Sequence, residues 1–205
     1  MIKQPHTNPA IDQDRVFDAY DQFNRFGFVM FPQQVAIYKR LAERLAGKII
    51  LEAGCGNGVG SAILDRTAMK FQATDVSKRN VDFARCLYPW IDFGVWDIQQ
   101  PVPRRSGYVV CVEAFEHVAD PHAAAVNLLD AAYRELWLST PNGRGKPRPP
   151  ENPQHVCEYT PAEIVRFFQH PRVASIEILH WETLTPLAVD TDVDPLVYRI
   201  EMEHP

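Results

Sequence analysis

Glu113, Glu116 and His117 are the residues whose types and spacing point most directly to chemistry. They follow an apolar run at 108–112, and carboxylates three residues apart share a face if the chain turns helically there. Two carboxylates and an imidazole suit a divalent ion such as Mg²⁺ or Mn²⁺. The imidazole could equally act as a base toward a weakly acidic hydroxyl. His155, in HVCEYTP, is a fourth candidate, as ligand, base or substrate contact. The plainer reading is that the Glu orients nearby backbone, the His packs beside a ligand, and Glu158 and Tyr159 anchor a loop to a helix. His6, His122, His170, His180 and His204 form no constellation and read as surface or core histidines.

A second chemical feature is the stretch ILEAGCGNGVG at 50–60. It follows an apolar run and opens a helix-compatible segment. Gly54, Gly56 and Gly58 allow positive φ and clear space for a ligand to approach the backbone. The helix N-terminus behind them offers free N–H groups to a carboxylate or phosphate. A dinucleotide fingerprint needs G-x-G-x-x-G or A, but that register meets Val59 from Gly54 and Ser61 from Gly56. This disfavours an oxidoreductase. Such folds also have no need of an acid two residues before the first glycine, where Glu52 stands.

The elements that must position these residues follow from periodicity. Short apolar runs at 48–53, 71–75, 92–96, 108–112 and 134–139 alternate with helix-compatible stretches near 59–68, 78–88 and 121–132. Strand and helix in alternation predict an α/β fold with a mostly parallel sheet. Ahead of it, Val16, Phe17, Tyr20 and Phe23 mark one amphipathic helix, and Val35, Tyr38, Leu41 and Leu45 a second. Asp120-Pro121 and Thr160-Pro161-Ala162-Glu163 carry helix-start signals, the latter a capping box. Residues 173–180 form a further strand candidate. Alternation from Leu196 to Glu203 predicts a last strand with one wet face, antiparallel and near an edge. Between 141 and 161 lie six prolines with Arg144, Lys146 and Arg148, which excludes a regular element. A loop of that length is often functional.

With 205 residues, a single domain is expected. Charged residues make up 23% and the net charge is -5, which excludes a disordered chain and a whole-surface basic footprint for nucleic acid. No apolar run is long enough to span a membrane, and the N-terminus lacks a secretory stretch. The four cysteines lie far apart, without C-x-x-C. Reduced thiols and a cytoplasmic location are therefore expected.

The pattern E-x-G-x-G-x-G at 52–58 resembles motif I of the class I S-adenosylmethionine-dependent methyltransferases, in particular the type 11 and type 23 methyltransferase-domain group. The resemblance continues through Asp75 in FQATDVS, Asp97 in VWDIQ, GYVVCVEAFEHVADP at 107–121 and LWLSTPNG at 136–143. It implies a Rossmann-like seven-stranded, mostly parallel sheet with an antiparallel C-terminal strand and helices on both faces. Residues 47–205 would form this domain, and 1–46 a helical cover over cofactor and acceptor. By the same resemblance, Glu52, Gly54, Cys55, Gly56, Gly58, Val76 and Glu113 contact S-adenosylmethionine. Asp75 would hold both ribose hydroxyls, as a carboxylate can. Asp97 would receive the adenine amino group and Ile98 lie on the adenine plane.

E-x-x-E-H, then S-T-P-N, then H-x-x-E-aromatic-T is similar to the metal-binding set of the RNA 3′-terminal ribose 2′-O-methyltransferases. The E-x-x-E-H part also resembles the ubiquinone-biosynthesis O-methyltransferases. This implies Glu113, Glu116, His117 and His155 as ligands of Mg²⁺ or Mn²⁺, with His117 and His155 the catalytic candidates. The expected function is methyl transfer from S-adenosylmethionine to the oxygen of a small molecule or terminal hydroxyl. An RNA 3′ end, or binding of S-adenosylmethionine without catalysis, are the alternatives.

Overall fold

The computed structural model describes residues 30–203. The helix expected around Val16–Phe23 and the residue His204 lie outside them. The chain enters through α1 (Pro32–Arg44), with Pro32 in its first turn, then β1 (Ile49–Ala53) and α2 (Val59–Asp65). It continues as β2 (Lys70–Asp75), α3 (Lys78–Leu87), β3 (Asp92–Val95) and β4 (Ser106–Val112). A single 3₁₀ turn (Phe115–His117) leads to α4 (Pro121–Ala131), β5 (Ala132–Thr140) and α5 (Pro161–Phe167). The chain closes with β6 (Val173–His180) and β7 (Leu196–Met202).

The strands form one sheet in the order β3-β2-β1-β4-β5-β7-β6. β7 alone runs against its neighbours, pairing antiparallel with both β5 and β6. This is the Rossmann-like arrangement expected, with the antiparallel strand at the C-terminus. The order reverses between β1 and β4, so the carboxyl ends of these two strands form the crevice where open α/β sheets bind ligands.

Each face of the sheet has its own core. α1, α2 and α3 bury Ile37, Leu41, Leu64 and Val81 on one side. On the other side, α4 and α5 bury Leu128, Leu129, Ile164 and Phe168 around Phe115. The capping box at Thr160 forms as its spacing predicts: Thr160 Oγ1 accepts from the Glu163 N–H, and Glu163 accepts from the Thr160 N–H. Asp120 likewise caps α4 through the Ala123 N–H at 3.0 Å.

The last strand departs from expectation in one respect. β7 is second from the edge, near an edge as expected, but its polar face is only partly wet. Arg199 is held there by Glu135 at 2.7 Å and Glu177 at 3.0 Å, so β5 and β6 close over it as ion-pair partners. All four cysteines are free thiols, as expected. Among the described residues, no helix is long and apolar enough to cross a membrane.

Candidate active site

The glycine loop joins β1 to α2 at the crevice. The N–H groups of Gly54 and Cys55 both donate to the Thr74 carbonyl, at 2.8 and 2.9 Å, which continues the β1–β2 pairing into the loop. Gly56 has φ +53°, and a side chain there would meet no protein atom within 4 Å. Its N–H donates to Asp75 Oδ2 at 2.8 Å. The other oxygen of Asp75 accepts from the Ser77 N–H at 2.8 Å and from Asn80 Nδ2 at 3.3 Å. Asp75 thus ends β2 as the acid that locks the loop. Val76 beside it is 64% exposed and open to a ligand.

Two of the side chains expected at the ligand are buried in the protein. Glu52 is fully buried beneath the loop. Its carboxylate accepts from the Tyr38 hydroxyl at 2.7 Å and the Ser61 hydroxyl at 2.5 Å. Burial pushes its carboxyl up to about 7. The Cys55 side chain is buried in the core with Tyr38 and Ala62, and burial raises its thiol well above the ordinary range. Only the backbone of Cys55 serves the loop. Glu52 from β1 and Cys55 from the loop are both buried, so their side chains support the loop from below.

Asp97 lies after β3, where Oδ1 accepts from the Gln99 N–H at 2.9 Å and from Gln99 Nε2 at 3.1 Å. The Asp97 carboxylate therefore caps its own turn. Ile98 is 7% exposed and joins the α4-side core, and its carbonyl accepts from Asn127 Nδ2 at 3.0 Å.

The second half of the crevice follows β4. Glu113 does not start the helical turn. It has φ +50°, and its N–H donates to the Ser139 carbonyl at 2.9 Å, which keeps it in the β4–β5 ladder. The Ser139 hydroxyl donates to its carboxylate. Only Glu116 and His117 lie on the 3₁₀ turn, so the two carboxylates do not share a helical face. Burial, and then the charge of Glu116, push Glu113 up to about 8. Burial also pushes Glu116 up to about 8. Glu116 is 1% exposed; Oε2 accepts from Thr140 at a long 3.3 Å, and Oε1 is buried with no hydrogen-bond partner.

The loop from 141 to 160 folds back over this turn. The N–H groups of Val156 and Cys157 donate to the Glu116 carbonyl, and the Gly143 N–H donates to the Tyr159 carbonyl at 3.0 Å. His155 consequently arrives beside His117, with ring centroids 5.0 Å apart. Glu116, His117 and His155 each offer a ligand atom, all within 4.8 Å of one another. Glu113, expected as a fourth ligand, is not part of that group; its carboxylate accepts from the Ser139 hydroxyl instead. His117 Nδ1 lies 2.8 Å from the Gln154 carbonyl, and its Nε2 lies 3.8 Å from the unpaired Glu116 oxygen.

The basic side chains of the loop are engaged inside the protein. Arg144 pairs with Asp192 at 3.4 Å and Arg148 with Glu163 at 2.5 Å. Lys146 bridges Glu158 at 2.9 Å and Asp194 at 2.7 Å. The pairings with Asp192 and Asp194 were not legible in the sequence, because each joins residues 48 positions apart in the chain.

A sheet of this order, with a glycine loop locked to the acid ending β2 at the switch point, is the class I methyltransferase fold. Comparisons with known proteins agree. Residues 51–132 match the methyltransferase domain family. The chain is 30% identical over 153 residues to a probable S-adenosylmethionine-dependent methyltransferase of Mycolicibacterium smegmatis, covering 68% of this chain and 57% of the relative. Identity is 31% over 97 residues to the ubiquinone biosynthesis O-methyltransferase of Proteus mirabilis, covering 44% and 40%. Among solved structures, the N-methyltransferase NodS of Bradyrhizobium japonicum, in complex with S-adenosylhomocysteine, superimposes with TM-score 0.65 at 16% identity, over 90% of this chain and 98% of that one. The chain therefore carries a class I S-adenosylmethionine-dependent methyltransferase domain. It spans about half the length of the curated relatives it matches.

Proposed function

We propose that this domain binds S-adenosylmethionine on the glycine loop and transfers its methyl group to an oxygen of a small molecule. The observation that carries this reading is the shared crevice. Gly56 and Asp75 end one side of it, and Glu116, His117 and His155 end the other. Methyl transfer from a sulfonium is an in-line displacement whose leaving group is already activated, so alignment is the main demand. A hydroxyl acceptor adds the need for a base or a metal. His117 and His155 are the candidates for that role, and a ubiquinone O-methyltransferase among the relatives supports oxygen as the acceptor.

A divalent ion fits this cluster in part. The unpaired Oε1 of Glu116 is a buried oxygen in want of a partner, and two imidazoles stand within reach of it. Mg²⁺ or Mn²⁺ held by Glu116, His117 and His155 would lower the pKa of a bound hydroxyl. An RNA 3′ end is the weaker reading. Arg144, Lys146 and Arg148 each pair with an acid of this chain, and a net charge of -5 provides no broad basic surface for a phosphate backbone.

Calorimetry with S-adenosylhomocysteine, followed by methyl transfer to a panel of small phenols and alcohols, tests the reading. Binding together with turnover that is lost in His155→Ala is expected. Failure to bind S-adenosylhomocysteine would overturn it, and turnover of a 3′-terminal RNA diol but no small hydroxyl would replace it with the RNA reading.

A further inference from the structure

The loop that delivers His155 also fixes its ring from both sides. His155 Nδ1 lies 2.7 Å from Glu158 Oε1, and Nε2 lies 2.9 Å from Asn152 Nδ2. The amide of Asn152 is itself oriented, because its Oδ1 accepts from the Gln154 N–H at 3.0 Å. Nδ2 is therefore the group turned to His155, and it can only donate. A carboxylate on the other side can only accept. Both contacts demand the same form of the neutral ring: hydrogen on Nδ1, lone pair on Nε2.

Glu158 is 8% exposed, and it is held as firmly as it holds. Its second oxygen receives Lys146 Nζ at 2.9 Å. Lys146 also reaches Asp194 Oδ2 at 2.7 Å, and Asp194 Oδ1 accepts from the Asn142 N–H at 2.9 Å. Asn142 in turn donates to the carbonyls of Thr191 and Val193, each at 3.0 Å. A continuous chain of alternating donors and acceptors thus runs from the exit of β5 and the approach to β7 through Lys146 and Glu158 to the imidazole.

We propose that Glu158, clamped by Lys146, is a positioning residue that holds His155 in one orientation and one tautomer, with its lone pair at Nε2. The Asn152 amide covers that lone pair here, and an acceptor hydroxyl or a metal ion would displace it. Ring orientation through an imidazole N–H on a carboxylate serves a base and a ligand alike. The inference builds on the reading of Glu116, His117 and His155 as the acceptor side of the site. It adds that the site is wired to the last strand.

The test is long-range ¹H–¹⁵N NMR of the histidine-labelled full chain, above the ordinary histidine titration range. His155 is assigned by the signals lost in His155→Asn. A protonated, pyrrole-type Nδ1 and a pyridine-type Nε2 are expected in the wild type. Glu158→Ala should lose this pattern, with the signals moving toward an average of both tautomers. Glu158→Gln, whose amide oxygen still accepts, should restore it. Hydrogen on Nε2 in the wild type, or an unchanged His155 pattern in Glu158→Ala, overturns the proposal. If Glu158→Ala does not fold, Lys146→Met decides: moved His155 signals support the clamp, and unmoved signals overturn it. Titration with S-adenosylhomocysteine runs alongside. A wild type that does not bind it defeats the methyltransferase reading alone, because the His155 signals need no cofactor.

Discussion

The Tyr38 hydroxyl donates to Glu52 Oε1 at 2.7 Å, which ties α1 to the strand feeding the glycine loop. The ring of Tyr38 lies against Gly60, where a Cβ would sit 2.1 Å from it. Helix α1, strand β1 and helix α2 therefore meet at one buried carboxylate. The acid that precedes the first glycine is a support under the loop, and its value to a ligand is indirect.

Tyr38→Phe tests that support. The ring and its packing stay, and one donor to a fully buried carboxylate is lost. Leaving a buried acceptor unpaired costs about 1–3 kcal/mol. Urea unfolding should show a loss of that size, and an unchanged midpoint would mean the hydroxyl contributes nothing.

The buried carboxyls also set a pH dependence. Burial raises Glu52 to about 7, and Glu113 and Glu116 to about 8, from an ordinary 4.5. The folded chain then holds these protons at pH values where the unfolded chain has released them. Their contribution is full below about 4.5 and is lost as pH rises toward 8. Glu163 acts oppositely: its bond to Arg148 lowers it to about 2, so its share is present above 4.5 and lost as pH falls through about 2. Unfolding free energy should decline from pH 5 to pH 8 in urea titrations, with a shallower decline in Glu52→Gln. A profile that rises across this window would contradict the assignment.

How much of this was legible in the sequence depends on how local the cause is. The glycine loop, the strand at Val173–His180 and the Thr160 capping box are read directly, because glycine φ, alternation and cap chemistry act within a few residues. The partners of Glu52 are not local: its buried carboxylate is met by Tyr38 and Ser61 from two helices. Glu113 and Glu116 looked like one helical face, but the turn begins two residues later, at Phe115, because Glu113 stays paired to Ser139. The convergence of His155 with His117 was expected only through resemblance to a family, and the clamp from Lys146 to Asp194 spans 48 positions without a spacing rule to reveal it.

Gly56→Val should remove cofactor binding while leaving the fold. Gly56 sits at positive φ, which strains a β-branched residue. The space its side chain would enter holds no protein atom, so the fold offers no clash, and the obstacle falls on the ligand. At a hundredfold excess over Kd, S-adenosylhomocysteine should stabilise the wild type by about 2.7 kcal/mol. Thermal shift should detect this in the wild type and not in Gly56→Val. A normal shift in the variant would remove the loop from the cofactor site. Asp75→Ala should weaken binding as well, since it releases the Gly56 N–H and frees the loop.

The metal reading makes a prediction that separates three ligands from four. Glu116, His117 and His155 bring their ligand atoms within 4.8 Å, whereas Glu113 is turned to the Ser139 hydroxyl. Mn²⁺ should therefore bind the full chain with an affinity that falls sharply in Glu116→Gln and in His155→Ala. Glu113→Gln should retain binding, because a glutamine there still accepts from Ser139. Coordination requires neutral imidazoles and an ionised Glu116, whose carboxyl burial raises to about 8, so binding should weaken as pH falls below about 8 and further through the histidine range. Two imidazoles and one carboxylate leave open positions on an ion that prefers six ligands, and acceptor oxygens could fill them. Calorimetry with Mn²⁺ and Mg²⁺ in the presence of S-adenosylhomocysteine measures all of this. If the wild type binds neither ion, the unpaired oxygen of Glu116 serves the acceptor directly, and His117 or His155 must take the proton. If Glu113→Gln abolishes binding, Glu113 leaves Ser139 when the ion arrives, and the four-ligand set is restored.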